Sequence, residues 1–326
     1  SLAPFWATTA FTLALLGFGA KAGLVPMHVW LPEAHPAAPS PVSAMMSGLM
    51  LKTAIYGMLR ITFDLLHVQF WQWGAAMLAL GLFSALFGAI FAAVQTDMKR
   101  LLAYSSIENV GLIFTGIGLA ILFEASHMPL FAALALGAAL IHALNHALFK
   151  SLLFLATGSV LHATRQRSLG KLGGLIRRMP WVAVLALIGT LAIAGLPPLN
   201  GFVSEWLLLQ SFLFTPRLPQ AFLNMLVPLG AAVLALTVAL AAYVMVKFYG
   251  VIFLGQPREP SLVEAHDANW LERIGLGWLA AGCVFIGILP QFALRAAGAV
   301  TGKLLGQTVT PGATFWRIAP IAPEQA

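Results

Sequence analysis

Eight apolar runs constrain this chain more than any other feature. A helix needs roughly 20 apolar residues to cross a hydrocarbon core of about 30 Å, and the runs fall roughly at 3–25, 41–63, 72–94, 104–123, 129–161, 181–213, 223–254 and 272–290. Inside a bilayer the backbone must satisfy its own hydrogen bonds, which an α-helix does within each span. No alternating, strand-like stretch of useful length is present. The chain is 60% hydrophobic and 9% charged, against about 25% charged in a soluble domain. The expected fold is an all-α membrane protein, a polytopic bundle of about eight transmembrane helices. The fifth, sixth and seventh runs exceed one crossing, an excess that tilt, a break or an extension beyond the bilayer absorbs.

The net charge of +7 resides mainly in loops. That pattern reflects orientation in a membrane rather than nucleic-acid binding. Lys99 and Arg100 follow the third run. Arg165, Arg167, Lys171, Arg177 and Arg178 follow the fifth, and Arg258 and Arg273 flank the loop after the seventh. Alternating crossings put all three loops on one side, and their excess of cations marks it as cytoplasmic. The opposite loops hold little beyond Arg60 and Arg217. From Gln291 onward the chain is expected to form a surface helix or a weak further span, with a polar end from Pro311. Cys283 stands alone, so neither an internal disulfide nor a cysteine-based metal cluster is expected; it reads as a small buried apolar residue. No signal peptide precedes the first run, and the start at Ser1-Leu2-Ala3 is expected to be a truncation point.

Ionisable groups lie inside or at the ends of these runs: Lys21, Lys52, Glu108, Lys150 and Glu205, with His142 and His146 sharing the run of Lys150. A charge at the bilayer centre costs a few kcal/mol on the most forgiving scales. Several of both signs read as a polar path, whose usual cargo is a proton or a small cation. His142, His146 and Lys150 recur every four residues and so share one helix face, with Asn145 beside them. Histidine both donates and accepts protons, so the stripe suits a relay through water. Hydrogen bonding between helices is the structural alternative. A zinc site is the weaker reading, because no third ligand is evident.

Two runs contain breaks. Gly17, Gly19 and Gly23 surround Lys21, and Pro26 follows; Gly195-Leu196-Pro197-Pro198-Leu199-Asn200-Gly201 interrupts the sixth run before Glu205. Broken helices paired with ionisable groups point to transport sites and internal repeats. Glu205 is either a switchable carboxyl group or half of a fixed salt bridge. Lys52 is too deep for easy snorkelling, whereas Lys247, near the end of its run, is placed to snorkel. Glu108, early in its run, fits a headgroup-level or a buried position equally. His28, Glu33 and His35 lie in a Pro-rich stretch expected to form a short re-entrant helix with a water-facing polar mouth. Glu108, His28 and Lys247 are thus candidates of second rank.

Three segments carry a resemblance. Lys21-Ala22-Gly23-Leu24-Val25-Pro26-Met27-His28-Val29-Trp30-Leu31-Pro32-Glu33-Ala34-His35, with Ala38-Pro39-Ser40-Pro41-Val42-Ser43-Ala44, resembles the signature of antiporter-like membrane subunits. Asp97-Met98-Lys99-Arg100-Leu101-Leu102-Ala103-Tyr104-Ser105-Ser106 resembles that family's second hallmark, and His142-Ala143-Leu144-Asn145-His146-Ala147-Leu148-Phe149-Lys150 its third. The family comprises complex I membrane subunits, multisubunit sodium/proton antiporters and membrane-bound group 4 hydrogenases. Ser106-Ile107-Glu108-Asn109-Val110-Gly111 is similar to the hydrogenase-4 and formate hydrogenlyase branch, whose large antiporter-like subunit is component B.

The resemblance implies two inverted repeats, each with a broken helix and a lysine-based half-channel. On that template residues 1–70 end the first repeat, 71–254 form the second, and 255–326 hold a loop, a final helix and a tail. Lys21, Lys52 and Lys150 match the family's lysines, and Glu205 matches its terminal acidic residue. The helix bearing the glutamate that pairs with the lysine matching Lys21 is expected to be absent. The expected function is proton translocation within a redox-driven complex, with a sodium/proton antiporter subunit or a non-conducting anchor as alternatives. The implied partners are other membrane subunits and a peripheral hydrogenase and iron–sulfur arm, in the inner (cytoplasmic) membrane. No cofactor, metal or redox site of its own and no nucleic-acid partner is expected.

Overall fold

The computed structural model describes residues 3–66, 70–213 and 218–308. Arg217 and the tail from Pro311 lie outside them. Among the described residues the chain is helical, with one isolated bridge, between Asp97 and Ser168.

Six helices are long and apolar enough to cross a membrane on their own: α3 (Ser40–Leu65), α4 (Trp71–Val94), α5 (Met98–Ala125), α6 (Pro129–Thr164), α9 (Ala221–Phe253) and α10 (Trp270–Ile288). The other two expected crossings are the interrupted ones, α1 (Pro4–Ala22) with α2 (Trp30–Ala37), and α7 (Pro180–Ile193) with α8 (Asn200–Leu213). Beyond Pro290, α11 (Gln291–Leu305) follows. Its length of 15 residues is short of a full crossing.

The first break differs in extent from its sequence expectation. The run predicted to end near residue 25 stops being helical at Gly23, in the left-handed region at φ 86°. The chain then turns and forms α2, whose far end is held by cations: Arg167 Nη1 donates to Pro36 O at 3.0 Å and Lys99 Nζ to Ala38 O at 2.7 Å. Trp30 Nε1 ties the two pieces together by donating to Ala20 O at 2.8 Å.

Helix α5 is the axis of the bundle. All of its apolar window is buried within the protein, against 33% for α9 and 28% for α10. Those two helices therefore lie at the outside of the bundle. Asp97 starts α5, its carboxylate accepting from Lys99 N at 2.9 Å and Arg100 N at 3.0 Å, which satisfies two of the four orphaned donors of a helix N-terminus. Pro129 and Pro180 begin α6 and α7 at the position where the missing N–H costs nothing.

The three basic loops are bonded to one another, as the alternation of crossings requires. Met98 N donates to Arg167 O at 3.1 Å, and Arg167 pairs with Asp97 at 3.1 Å. Gly174 N donates to Leu254 O at 2.9 Å, and Arg258 Nη1 reaches Leu172 O at 2.7 Å. One face of the bundle thus gathers the cations.

Candidate functional site

Three elements meet at the centre: the middle of α3, the middle of α6, and the polar stretch Ser105–Asn109 of α5. Helix α3 is π-helical over Met46–Met50. Immediately after it, Lys52 Nζ donates back to Ser47 O at 2.6 Å and lies 2.5 Å from His146 Nδ1 on α6. One turn earlier on α6, His142 is enclosed, with Nδ1 2.9 Å from Ser204 Oγ on α8 and Nε2 3.1 Å from Asn109 Oδ1 on α5. Asn145 Nδ2 donates to Asn200 O at 2.6 Å and to Ser204 Oγ at 2.9 Å, and Asn200 Nδ2 returns a bond to Asn145 Oδ1 at 3.1 Å. A line of polar side chains therefore runs from Lys52 through His146 and His142 to the start of α8.

Lys150 lies on the same face of α6, fully buried, and donates to Leu102 O at 2.9 Å. Glu108 is the carboxyl group whose charge it feels. The sequence left Glu108 equally at headgroup level or buried, and the structure decides for burial. Helix α5 begins ten residues earlier, about 15 Å along the axis. Glu108 is 1% exposed and accepts from Ser105 Oγ at 3.2 Å. Its charge is felt in turn by Glu205.

Glu205 sits on the break between α7 and α8. Its carboxylate covers Gly195, whose φ of 65° suits a residue without a side chain. The start of α8 is pressed onto the end of α7: a Cβ at Gly201 would fall 1.8 Å from Ala192 O. The fixed salt bridge left open for Glu205 is absent. The ion pairs among the described residues are Arg60–Asp64, Arg100–Glu33, Arg167–Asp97 and Arg273–Asp267, and none involves Lys52, Lys150, Glu108 or Glu205.

The remaining candidates lie apart from this line. Lys21 is exposed in the last turn of α1. Lys247 is half-buried, and its ammonium sits at the end of the span, donating to Ala93 O at 2.6 Å and Gln95 O at 2.8 Å. A cation is stabilised there by the carbonyl-rich end of α4. His28 packs edge-on against Phe87 at 4.9 Å. The expected water-facing mouth fails for His35, which is fully enclosed and stacked on Phe154 at 4.6 Å. No cluster of three or more metal-ligating side chains occurs among the described residues.

Sequence reasoning passed over Asn109, Ser204 and Asn200, which carry the line from α6 to the break. Their signal was available: Ser105, Ser106, Glu108 and Asn109 form a polar patch in an otherwise apolar helix, and Ser204 directly precedes Glu205.

The comparisons with known proteins place the chain in a family. The family described as "NADH:quinone oxidoreductase/Mrp antiporter, TM" matches residues 4–222. Hydrogenase-4 component B of Escherichia coli (strain K12) is 45% identical over 291 residues, 88% of this chain and 43% of that protein. Formate hydrogenlyase subunit 3 of the same organism is 40% identical over 282 residues, 86% of this chain and 46% of that protein. The chain spans less than half the length of these two relatives. Among solved structures, a chain of the Mrp complex from Dietzia sp. DQ12-45-1b superposes with a TM-score of 0.79 at 24% identity, covering 91% of this chain and 59% of that one. That likeness shows a shared fold. With its match over most of its length, this chain belongs to the NADH:quinone oxidoreductase/Mrp antiporter transmembrane family.

Proposed function

We propose that this chain conducts protons as part of a membrane subunit of a redox-driven complex of the group 4 membrane-bound hydrogenase type. One observation carries this reading: Lys150, His142, His146, Glu108 and Glu205 are buried and Lys52 half-buried across neighbouring helices, and none is locked in an ion pair among the described residues. An ion pair fixes its charge and resists protonation change. A buried amine or carboxyl group without one changes charge when a proton arrives, as a carrier must.

In this reading Lys150 is the central carrier. Glu108 exchanges charge with it and passes the change toward Glu205, which releases or accepts the proton at the α7–α8 break. Lys52 and His146 form the branch that exchanges along the bundle axis, and His142 joins that branch to Ser204. Lys21 carries charge toward neighbouring parts of the assembly. Residues 1–70, 71–254 and 255–326 act as the end of one repeat, a half-channel repeat and a terminal region. The electrons flow in partners: other membrane subunits and a peripheral hydrogenase and iron–sulfur arm, at the inner (cytoplasmic) membrane.

The test is proton translocation by the assembled complex in sealed vesicles. Lys150→Ala and Glu205→Gln each abolish it while assembly persists. Normal pumping by both variants defeats the reading. A second reading, sodium/proton exchange, is favoured by 33% identity over 311 residues to Na(+)/H(+) antiporter subunit A1 of Staphylococcus saprophyticus. Strict dependence of transport on sodium selects it.

A further inference from the structure

A cavity of about 410 Å³ opens where the start of α3, the last turns of α6 and the first turns of α10 converge, at the basic face. Ser40, Leu155, Gly158, Ser159, His162 and Glu272 line it. Its polar groups cluster: Ser159 Oγ donates to Glu272 Oε2 at 3.1 Å, Asn269 Nδ2 donates to Glu272 Oε1 at 3.1 Å, and the ring of His162 lies 5.8 Å from that of His266. Both histidines are exposed, whereas Ser159 and Ser40 are buried. The cavity therefore grades from solvated titratable groups to enclosed hydroxyl groups.

Behind its inner wall stands His35. Ser40 packs directly on Gly158, where a Cβ would meet the Ser40 Cβ at 2.7 Å. In the same first turn, Ser43 Oγ donates to His35 O at 3.0 Å. His35 stacks on Phe154, the neighbour in sequence of the cavity-lining Leu155. Both of its ring nitrogens are buried and lack a hydrogen-bond partner. Buried polar atoms are nearly always paired, by protein or by water. The charged groups around it are Lys150 of α6, Lys99 of α5 with its bond to Ala38 O, and Arg167 with its bond to Pro36 O. Glu33 on its own helix is taken by Arg100.

We infer that this cavity is a proton-uptake vestibule, in which Glu272 and His162 collect protons from water at the basic face and His35 hands them inward to Lys150. The inference rests on the proton-conducting reading above. Each step is a simple transfer: a hydronium ion, formed with a proton released by Glu272 or His162, protonates the free ring nitrogen of His35 and leaves water, and the imidazolium then returns to neutral by giving the proton on its other nitrogen to the neutral amine of Lys150. The hydroxyl groups of Ser40, which lines the vestibule, and Ser43, which bonds to the His35 backbone, both donate and accept and are polar groups next to this route.

The experiment uses the assembled complex in sealed vesicles with the basic face outward. In a Cys283→Ala background, Ser159→Cys is exposed to a water-soluble, membrane-impermeant methanethiosulfonate. Labelling is expected, and it slows proton uptake by about 100-fold, the scale of a lost proton-transfer group. His35→Gln and Glu272→Gln, which keep shape and hydrogen bonding, slow uptake to a comparable degree. If Ser159→Cys resists the reagent, or if both Gln variants take up protons at the wild-type rate while Lys150→Ala does not, the vestibule is refuted and the central carrier stands. If Lys150→Ala itself conducts at the wild-type rate, the underlying reading falls and the vestibule with it.

Discussion

Lys52 Nζ lies 2.5 Å from His146 Nδ1, joining helices 94 residues apart in sequence through two groups that both gain and lose protons. The lysine has its second contact within its own helix, at Ser47 O. A half-buried ammonium with no carboxylate partner is held at an energetic cost, and replacing an enclosed ionic group by an apolar one of similar volume is often neutral or stabilising. Lys52→Met should therefore leave the thermal midpoint of the complex unchanged or raised. Proton translocation should fall by about 100-fold. A loss of assembly together with the loss of transport would assign Lys52 to structure instead.

His142 bonds to both α5 and α8, so its removal is a different event. His142→Ala strands Asn109 Oδ1 and one partner of Ser204 in a dry interior. Each unsatisfied group costs about 1–3 kcal/mol. We expect a clear drop in unfolding temperature for Ala and a much smaller one for His142→Gln, which offers a donor and an acceptor. Transport should fail in both, because an amide does not titrate. Differential scanning fluorimetry and vesicle acidification separate the two effects.

The break between α7 and α8 tolerates no side chain at Gly201, where a Cβ would collide with Ala192 O. Backbone, not a flexible side chain, is the obstacle. Gly201→Ala should destabilise by about 1–3 kcal/mol, the range for overpacking. It should also displace Glu205, four residues on, and reduce transport even though no titrating group has changed. Wild-type transport and melting in this variant would show that the break is more pliable than the close approach implies.

Lys247 tests the boundary of the site. Its ammonium closes the carbonyl end of α4 at Ala93 and Gln95. A cation at a helix C-terminus contributes about 0.3–1 kcal/mol. Lys247→Ala should lower stability by that amount and leave proton transport at the wild-type rate. A transport defect without loss of stability would extend the path to α9.

Asp97 anchors the start of α5 and pairs with Arg167. Loss of an N-cap costs about 1 kcal/mol, and the exposed pair adds little. Asp97→Ala should reduce the yield of assembled complex, while the molecules that do assemble retain transport. Specific activity per assembled complex, compared with yield, checks this.

The crossings were legible because a bilayer demands long apolar runs, and a run of 20 residues leaves few alternatives. Both breaks were legible from Gly and Pro, though the first extends through α2 because Trp30 to Ala37 carries on after the turn. The ionisable residues announced themselves by the cost of burying them. Their wiring did not. Periodicity places His142, His146 and Lys150 on one face, but the helices facing them are set by tertiary packing. The sequence reading left the partners of the histidine stripe open. In the structure His146 meets Lys52, His142 meets Asn109 and Ser204, and Glu108 is buried on α5 with its carboxylate on Ser105 Oγ. His35 was read as part of a wet mouth because a Pro-rich stretch resembles a surface loop. Arg167, Lys99 and Arg100 instead clamp that stretch against α5 and the loop after α6.

The π-helical stretch of α3 has a mechanical consequence. A wider turn shifts the carbonyl groups from their usual partners, and Lys52 reaches back five residues to one of them, Ser47 O. The lysine head is therefore moored at two points, one on its own backbone and one on the neighbouring helix. Protonation of His146 would repel the ammonium from the second mooring, leaving the first to hold it. A side chain moored in this way has the form of a latch, able to give way on one side without coming adrift.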